Sequence, residues 1–304
     1  RRRLVDEALV RALPGPVPGK DPGRMKEGMR YAVLQGGKRM RPLVIIAACE
    51  AAGGSAEAAL PACCALEMIH AYSLVHDDLP AMDNDLERRG QPTVHVAFGH
   101  AEGILIGDAL LTCAFAALTH GVATHVPAQN LVAAVRVLAH HAGVDGMVGG
   151  QALDLALGQD IHDLAALEQV HALKTGALYA AAGALGALYA GADESTVRDL
   201  EAWGLKFGIA FQHADDVLDD DQKAAIIEAL AEYGIELPKL AKEVGTDYGD
   251  FDLICHIAFD QPPLTRAERA NNVKKRNYFT QYGDKARAVL EALLDKYADE
   301  GIVS

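Results

Sequence analysis

Glu67-Met68-Ile69-His70-Ala71-Tyr72-Ser73-Leu74-Val75-His76-Asp77-Asp78-Leu79-Pro80-Ala81-Met82-Asp83 is an apolar run that ends in acid. Its composition is helical back to about residue 56. Pro80 removes a backbone donor and crowds the turn before it, which predicts a helix end near residue 79 and leaves Asp83 on the following loop. A second stretch has the same form. Gln212 is followed by Asp215, Asp216 and Asp219, spaced i, i+3 and i, i+4, so one helical stripe offers several oxygens. Two unit charges about 4 Å apart interact by roughly 4 kcal/mol at an effective dielectric near 20, so acids this dense require cations or shifted pKa values. Hard divalent ions answer best. Magnesium takes one or two carboxylates and completes its shell with phosphate oxygens and water, which suits acids held ready for a diphosphate. Either cluster alone reads equally well as a solvated helix end, whereas two of them, each behind a core-like helix, argue for a site. A glycosidase-type carboxylate pair leaves most of these acids unexplained.

Basic residues are few in a chain of 304 residues and formal charge −14, and they are grouped. Gly36-Gly37-Lys38-Arg39-Met40-Arg41-Pro42 sets cations on a turn and a helix start, where backbone N–H groups also favour anions. Arg88-Arg89-Gly90 follows the first acidic cluster by one short loop, and Lys174-Thr175 opens a Gly/Ala-rich segment. The acidic balance argues against a nucleic-acid partner, because phosphate backbones are held by broad basic surfaces. An anionic ligand must therefore be met by these local clusters or by metal.

Alanine and leucine dominate the apolar half of the chain and β-branched residues are sparse, which predicts an all-α fold. Helices are expected around residues 4–12, 24–34, 40–51, 56–76, 101–119, 128–142, 163–190 and 195–219, and no alternating run is long enough for a sheet. Near residue 220 the Gly/Ala packing style stops and Lys, Glu, Asn and Tyr rise, giving expected domains of 1–220 and 221–304. The apolar runs 104–118 and 176–192 are read as buried helices without a membrane span, the first being short and carrying Asp108, the second rich in small residues. Five cysteines in apolar stretches predict buried free thiols in a reducing compartment, the cytoplasm by default. Arg1 to Arg3 lead into no secretory apolar region, and with no initiator Met the chain is read as lacking a few N-terminal residues. The histidines, His95, His100 and His140-His141 included, have no zinc spacing.

The stretch 67–83, continued by Arg88-Arg89-Gly90-Gln91-Pro92-Thr93-Val94-His95, resembles the first aspartate-rich motif of bacterial farnesyl diphosphate synthases. Gly36-Gly37-Lys38-Arg39, Gly107-Asp108-Ala109-Leu110-Leu111, Gly149-Gly150-Gln151, Lys174-Thr175 and Phe211-Gln212-His213-Ala214-Asp215-Asp216-Val217-Leu218-Asp219 occur in family order. The resemblance implies an isoprenoid-synthase helical bundle around a central cavity. It implies a prenyltransferase that condenses isopentenyl diphosphate with dimethylallyl or geranyl diphosphate to give farnesyl diphosphate. Lys38, Arg41, His70 and Arg89 would hold the isopentenyl diphosphate, and Arg88, Lys174, Thr175 and Gln212 the allylic one. Asp77, Asp78, Asp83, Asp215, Asp216 and Asp219 would hold Mg2+, three ions in all with Mn2+ able to substitute. Lys174, Asp77, Asp78 and Asp215 would form the catalytic group. Tyr72 and Ser73, one to one and a half turns before Asp77, would end the pocket and favour C15 over C20. A homodimer is implied as well.

After Asp219 that pattern stops, and residues 222–304 resemble the C-terminal helical segment of type I restriction enzyme R subunits instead, carried by Phe251 to Phe259 and Tyr278 to Arg287. No helicase or nuclease motif is present there. The sequence leaves two other readings open: an inert diphosphate-binding or interaction protein, and a class I terpene cyclase. The cyclase is disfavoured by the second acidic cluster and by the Lys38/Arg41 site for a second diphosphate.

Overall fold

The computed structural model describes residues 1–15, 19–119, 126–157 and 164–217, with Leu164 and residues 213–217 in backbone only. The chain forms two compact units, Arg1–Gln212 and His213–Ser304. Of the second, only the end of a helix that reaches Val217 is described.

Helix α4 (Ala56–Asp77) is central to the first unit. Ser55 caps it, its Oγ accepting the Ala58 amide at 3.2 Å, and Glu57 in the first turn complements the helix dipole. It is apolar on nearly every side, as a helix surrounded by protein must be. α6 (His100–Thr119) and α3 (Met40–Ala51) pack along it, with α1 (Arg2–Ala12) and α2 (Met25–Leu34) beside them. α10 (Ala177–Ala190) packs on α3, α4 and α7 (Ala128–Ala142), and every residue from Ala177 to Tyr189 is buried. The small-residue run of the sequence is thus core. α11 (Glu194–Val217) comes next in the chain.

Several details depart from expectation. The run 104–118 belongs to a helix of 20 residues, and by length and composition α4, α6 and the stretch Ala128–Leu157 could each cross a membrane. The protein buries 67% of the most apolar part of α4 but only 33% of the corresponding part of the other two. A short antiparallel hairpin pairs β1 (Glu87–Arg88) with β2 (Gln91–Pro92), turning through Arg89 and Gly90, both with positive φ. α5 (Val94–Phe98) and α8 (Met147–Leu157) were not expected. The single helix expected over 163–190 is broken: α9 (Leu164–Val170) runs into a π-helical turn, His171–Gly176, before α10. Cys49, Cys63 and Cys64 are buried free thiols and Cys113 is half-buried; Cys255 lies outside the described residues.

Arg39 ties three elements together. Read in the sequence as one of several cations facing an anion, it turns inward and is only 4% exposed. Its Nε donates to Asp6 of α1 at 2.9 Å, Nη1 to Glu67 of α4 at 2.5 Å, and Nη2 to the Val33 carbonyl at 2.8 Å. This fixes the start of α3, and so the placement of Arg41 two residues on.

Candidate active site

A cavity of about 420 Å³ opens between α4, α8, the start of α3 and the π turn. His70, Ser73, Leu74 and Asp77 line it from one face of α4, as spacings of three, four and seven residues require. At 1.5 Å per residue, His70 and Asp77 stand roughly 10 Å apart along that wall. Tyr72 also lines the cavity, its ring edge-to-face with His76 at 5.8 Å. Arg41 reaches in from α3, and Lys174 and Thr175 from the π turn, a kind of irregularity that often re-aims side chains at functional sites.

Burial pushes the Asp77 carboxyl up to about 6; the nearby Lys174 charge opposes this, while Asp83 and Asp78 add to it. Asp83 is exposed on the loop after α4, and its amide donates to the Asp77 carbonyl at 2.9 Å, which holds the loop against the helix end. Asp78 is buried and committed to Arg88, whose Nε lies 2.9 and 3.1 Å from its two oxygens and whose Nη2 lies 2.6 Å from Oδ1. Neither Asp78 nor Arg88 lines the cavity. Lys174 Nζ donates to Asp154 of α8 at 2.6 Å, and Thr175 Oγ1 to Gln212 Oε1 at 2.8 Å.

Lys38 is exposed, and Arg89 Nη1 donates to the Gly36 carbonyl at 2.8 Å. Here the glycines have a physical reason: Gly37 sits at φ +122, and a Cβ on it would lie 2.8 Å from Arg89 Nη1. Burial and the surrounding arginines, Arg41 foremost, hold the His70 imidazole neutral, well below the usual histidine range. The side chains of the second acidic cluster lie outside the described residues. Asp215 and Asp216 are on the last turn of α11 in backbone only, and Asp219 is beyond it.

Sequence reading missed the wall supplied by α8: Met147, Val148, Gln151 and Leu155 line the cavity, and Gln151 Oε1 is buried without a hydrogen-bond partner. The Gly149-Gly150 pair hid this helix by reading as a break. Gly150 is instead the contact point between α8 and the π turn, since a Cβ there would stand 2.2 Å from the Lys174 backbone nitrogen and 2.7 Å from the Leu173 carbonyl carbon. Backbone cannot yield as a side-chain tip can. Gly150→Ala is therefore expected to cost about 1–3 kcal/mol of stability by overpacking and to displace Lys174 from the cavity wall. Chemical denaturation, with ligand titration of the refolded protein, checks both.

Among the described residues no three His, Cys, Asp or Glu side chains gather as a ready-made metal cage. The donors still fit magnesium. Asp77 at the end of α4 and Asp83 on the loop held against it supply hard oxygens, and the burial that disfavours a bare Asp77 carboxylate would be relieved by a cation.

The Polyprenyl synthetase family model matches residues 22–228, and a second, EcoEI R protein C-terminal, matches residues 206–304. The chain is 44% identical to a geranylgeranyl diphosphate synthase of Cyanophora paradoxa, over 72% of this chain and 72% of that protein. A crystal structure of an FPP/GFPP synthase from Zymomonas mobilis shares 43% identity at a TM-score of 0.66, covering 71% of this chain and 78% of that one. A geranyltransferase from Helicobacter pylori, complexed with magnesium and isoprenyl diphosphate, shares 32% identity at a TM-score of 0.58, covering 64% of this chain and 65% of that one. Relatives are matched over as little as 58% of their own length. Its first model spanning well over half the residues, and its relatives and structural neighbours being prenyltransferases, the chain belongs to the polyprenyl synthetase family.

Proposed function

We propose that this chain is a short-chain prenyltransferase that condenses isopentenyl diphosphate with dimethylallyl or geranyl diphosphate to give farnesyl diphosphate. The observation that carries the reading is a single cavity lined by Asp77 and Lys174, by Arg41 and His70, and by the largely apolar side chains of Tyr72, Met147 and Leu155. Asp77 and Asp83, with Asp215, Asp216 and Asp219 by their helical spacing, are the proposed magnesium ligands, three ions in the family manner. Bound there, magnesium would neutralise the charge that develops on the leaving diphosphate. Asp78 contributes indirectly by orienting Arg88.

Lys174 and Thr175, which line the cavity, hold the allylic diphosphate with Gln212, and Arg88, outside that lining and paired with Asp78, is proposed to meet the same diphosphate; Lys38, Arg41, His70 and Arg89 hold that of isopentenyl diphosphate. The apolar walls exclude water while the allylic C–O bond ionises, so the carbocation meets only the double bond of the second substrate. The proton then lost goes to the released diphosphate. Positioning and electrostatics supply the rate, with no covalent enzyme intermediate. A cytoplasmic homodimer completes the proposal; a monomer by sedimentation would remove the dimer.

C15 is proposed because Tyr72 and Ser73 both line the cavity a turn or more before Asp77, where a growing chain would end. Tyr72→Ala is expected to lengthen the product toward C20 and Ser73→Phe to shorten it. Product mass spectra unchanged in both variants would remove these residues from length control.

A second reading is favoured by the two family matches, which overlap over residues 206–228 near the proposed boundary at 220. In that reading the chain binds diphosphates and does not turn over, because the segment after its last acidic motif is of another origin. Incubating the purified chain with magnesium, isopentenyl diphosphate and geranyl diphosphate decides between them. Farnesyl diphosphate supports the first; diphosphate binding without product supports the second.

A further inference from the structure

Arg39 and Arg88 are neutralised by carboxylates, but Arg41 is not. Among the described residues no carboxylate lies within salt-bridge distance of its guanidinium, and its Nε is buried without a hydrogen-bond partner. Its neighbours are of another kind. The guanidinium carbon sits 5.0 Å from the centre of the Tyr179 ring, and Nη1 lies 3.4 Å from His70 Nε2. We propose that Tyr179 is a positioning residue whose ring face holds the Arg41 guanidinium in the cavity wall with its charge uncompensated, so that the cation is kept for the diphosphate of isopentenyl diphosphate. This rests on the reading of Arg41 as a ligand of that diphosphate.

A carboxylate would hold Arg41 more strongly, but it would cancel the charge that an incoming anion needs. An aromatic face attracts a cation through its quadrupole and leaves the net charge in place. It also fixes the plane of the guanidinium, and so the direction in which its donors point. His70, kept neutral, can accept from Nη1 without adding a repelling charge. The ring itself has little freedom to turn. Tyr179 is fully buried, Phe207 meets it edge-on at 5.2 Å, Phe211 lies at 5.6 Å, and Trp203 stacks on Phe207 at 5.4 Å. This aromatic row along α11 braces the ring that carries Arg41.

The test is calorimetric titration of the full chain with isopentenyl diphosphate, alongside steady-state kinetics with geranyl diphosphate and magnesium. Tyr179→Phe, which keeps the ring face, should stay within about twofold of the wild type in Kd, and Tyr179→Leu should weaken binding about tenfold. Pentafluorophenylalanine introduced at position 179 keeps the shape of the phenyl ring but reverses its quadrupole, and should weaken binding as Leu does. That variant carries the test if the Leu variant does not fold. The KM for isopentenyl diphosphate should rise in step while that for geranyl diphosphate stays put. Equal binding by the Phe and pentafluorophenylalanine variants overturns the inference, even if product forms. The expected binding pattern in a chain that makes no product supports it and removes the prenyl-transfer reading instead. A wild-type chain that binds no isopentenyl diphosphate overturns both.

Discussion

Glu67→Ala is expected to destabilise the chain by about 3–5 kcal/mol, because it strands a buried arginine. The Arg39 and Glu67 side chains are 3% and 6% exposed and their nearest atoms lie 2.5 Å apart. Burial alone would lower the Arg39 pKa, yet Glu67 and Asp6 together more than reverse this, so the guanidinium stays charged throughout the working pH range. It cannot escape by deprotonation. The loss should be large for the pair and small at its rim. The Asp6 side chain is 42% exposed, so Asp6→Ala should cost under about 1 kcal/mol. Removing both buried charges, as Arg39→Met with Glu67→Leu, should recover much of the loss in stability. Arg41 would then be less well placed, and binding of isopentenyl diphosphate should remain weak. Urea denaturation of the three variants checks the order, and a Glu67→Ala variant within about 1 kcal/mol of wild type would show that water reaches Arg39.

The same residue shows where sequence reading stops. Helical period, the Pro80 stop and the acidic ends of two apolar runs are local properties, and α4, α3, α6, α7 and α10 were legible from them, along with the position of Asp83 on a loop. Whether a cation in Gly36-Gly37-Lys38-Arg39-Met40-Arg41 faces the cavity or the core depends on Asp6 and Glu67, which lie far away in sequence. Composition could say that cations were there, but not that Arg39 turns inward while Arg41 lines the cavity. α8 was lost for a related reason. Gly149-Gly150 lowers helix propensity, and only the approach of Lys174 to within van der Waals distance explains why a glycine is needed inside a helix. The pairing of Asp78 with Arg88 was hidden too, because adjacent acids in one motif look equivalent until one of them is buried. The nearby hairpin is two residues per strand, too short for an alternating pattern to register.

Asp77→Asn should separate catalysis from stability with opposite signs. The side chain lines the cavity at the end of α4 and is proposed to hold magnesium, so its loss should lower kcat by about 10²–10³-fold, the scale seen when one preorganised electrostatic contact to a developing charge is removed. Metal-free stability should move the other way. The Asp77 pKa in the fold, near 6, is above its ordinary value, so the fold is favoured at this site below that ordinary value and loses the advantage as pH rises through 6. Asparagine carries no such charge at any pH. With magnesium chelated, the Asn variant should therefore match the wild type in stability near pH 3 and exceed it at pH 7.5, by about 1–2 kcal/mol. Adding magnesium with inorganic pyrophosphate should reverse that ranking at pH 7.5, because the Asn variant has lost one of the carboxylates proposed to meet the ion. An Asn variant that melts below the metal-free wild type at pH 7.5 would mean that the Asp77 carboxylate has a structural partner in the fold, and its assignment to magnesium would have to be withdrawn.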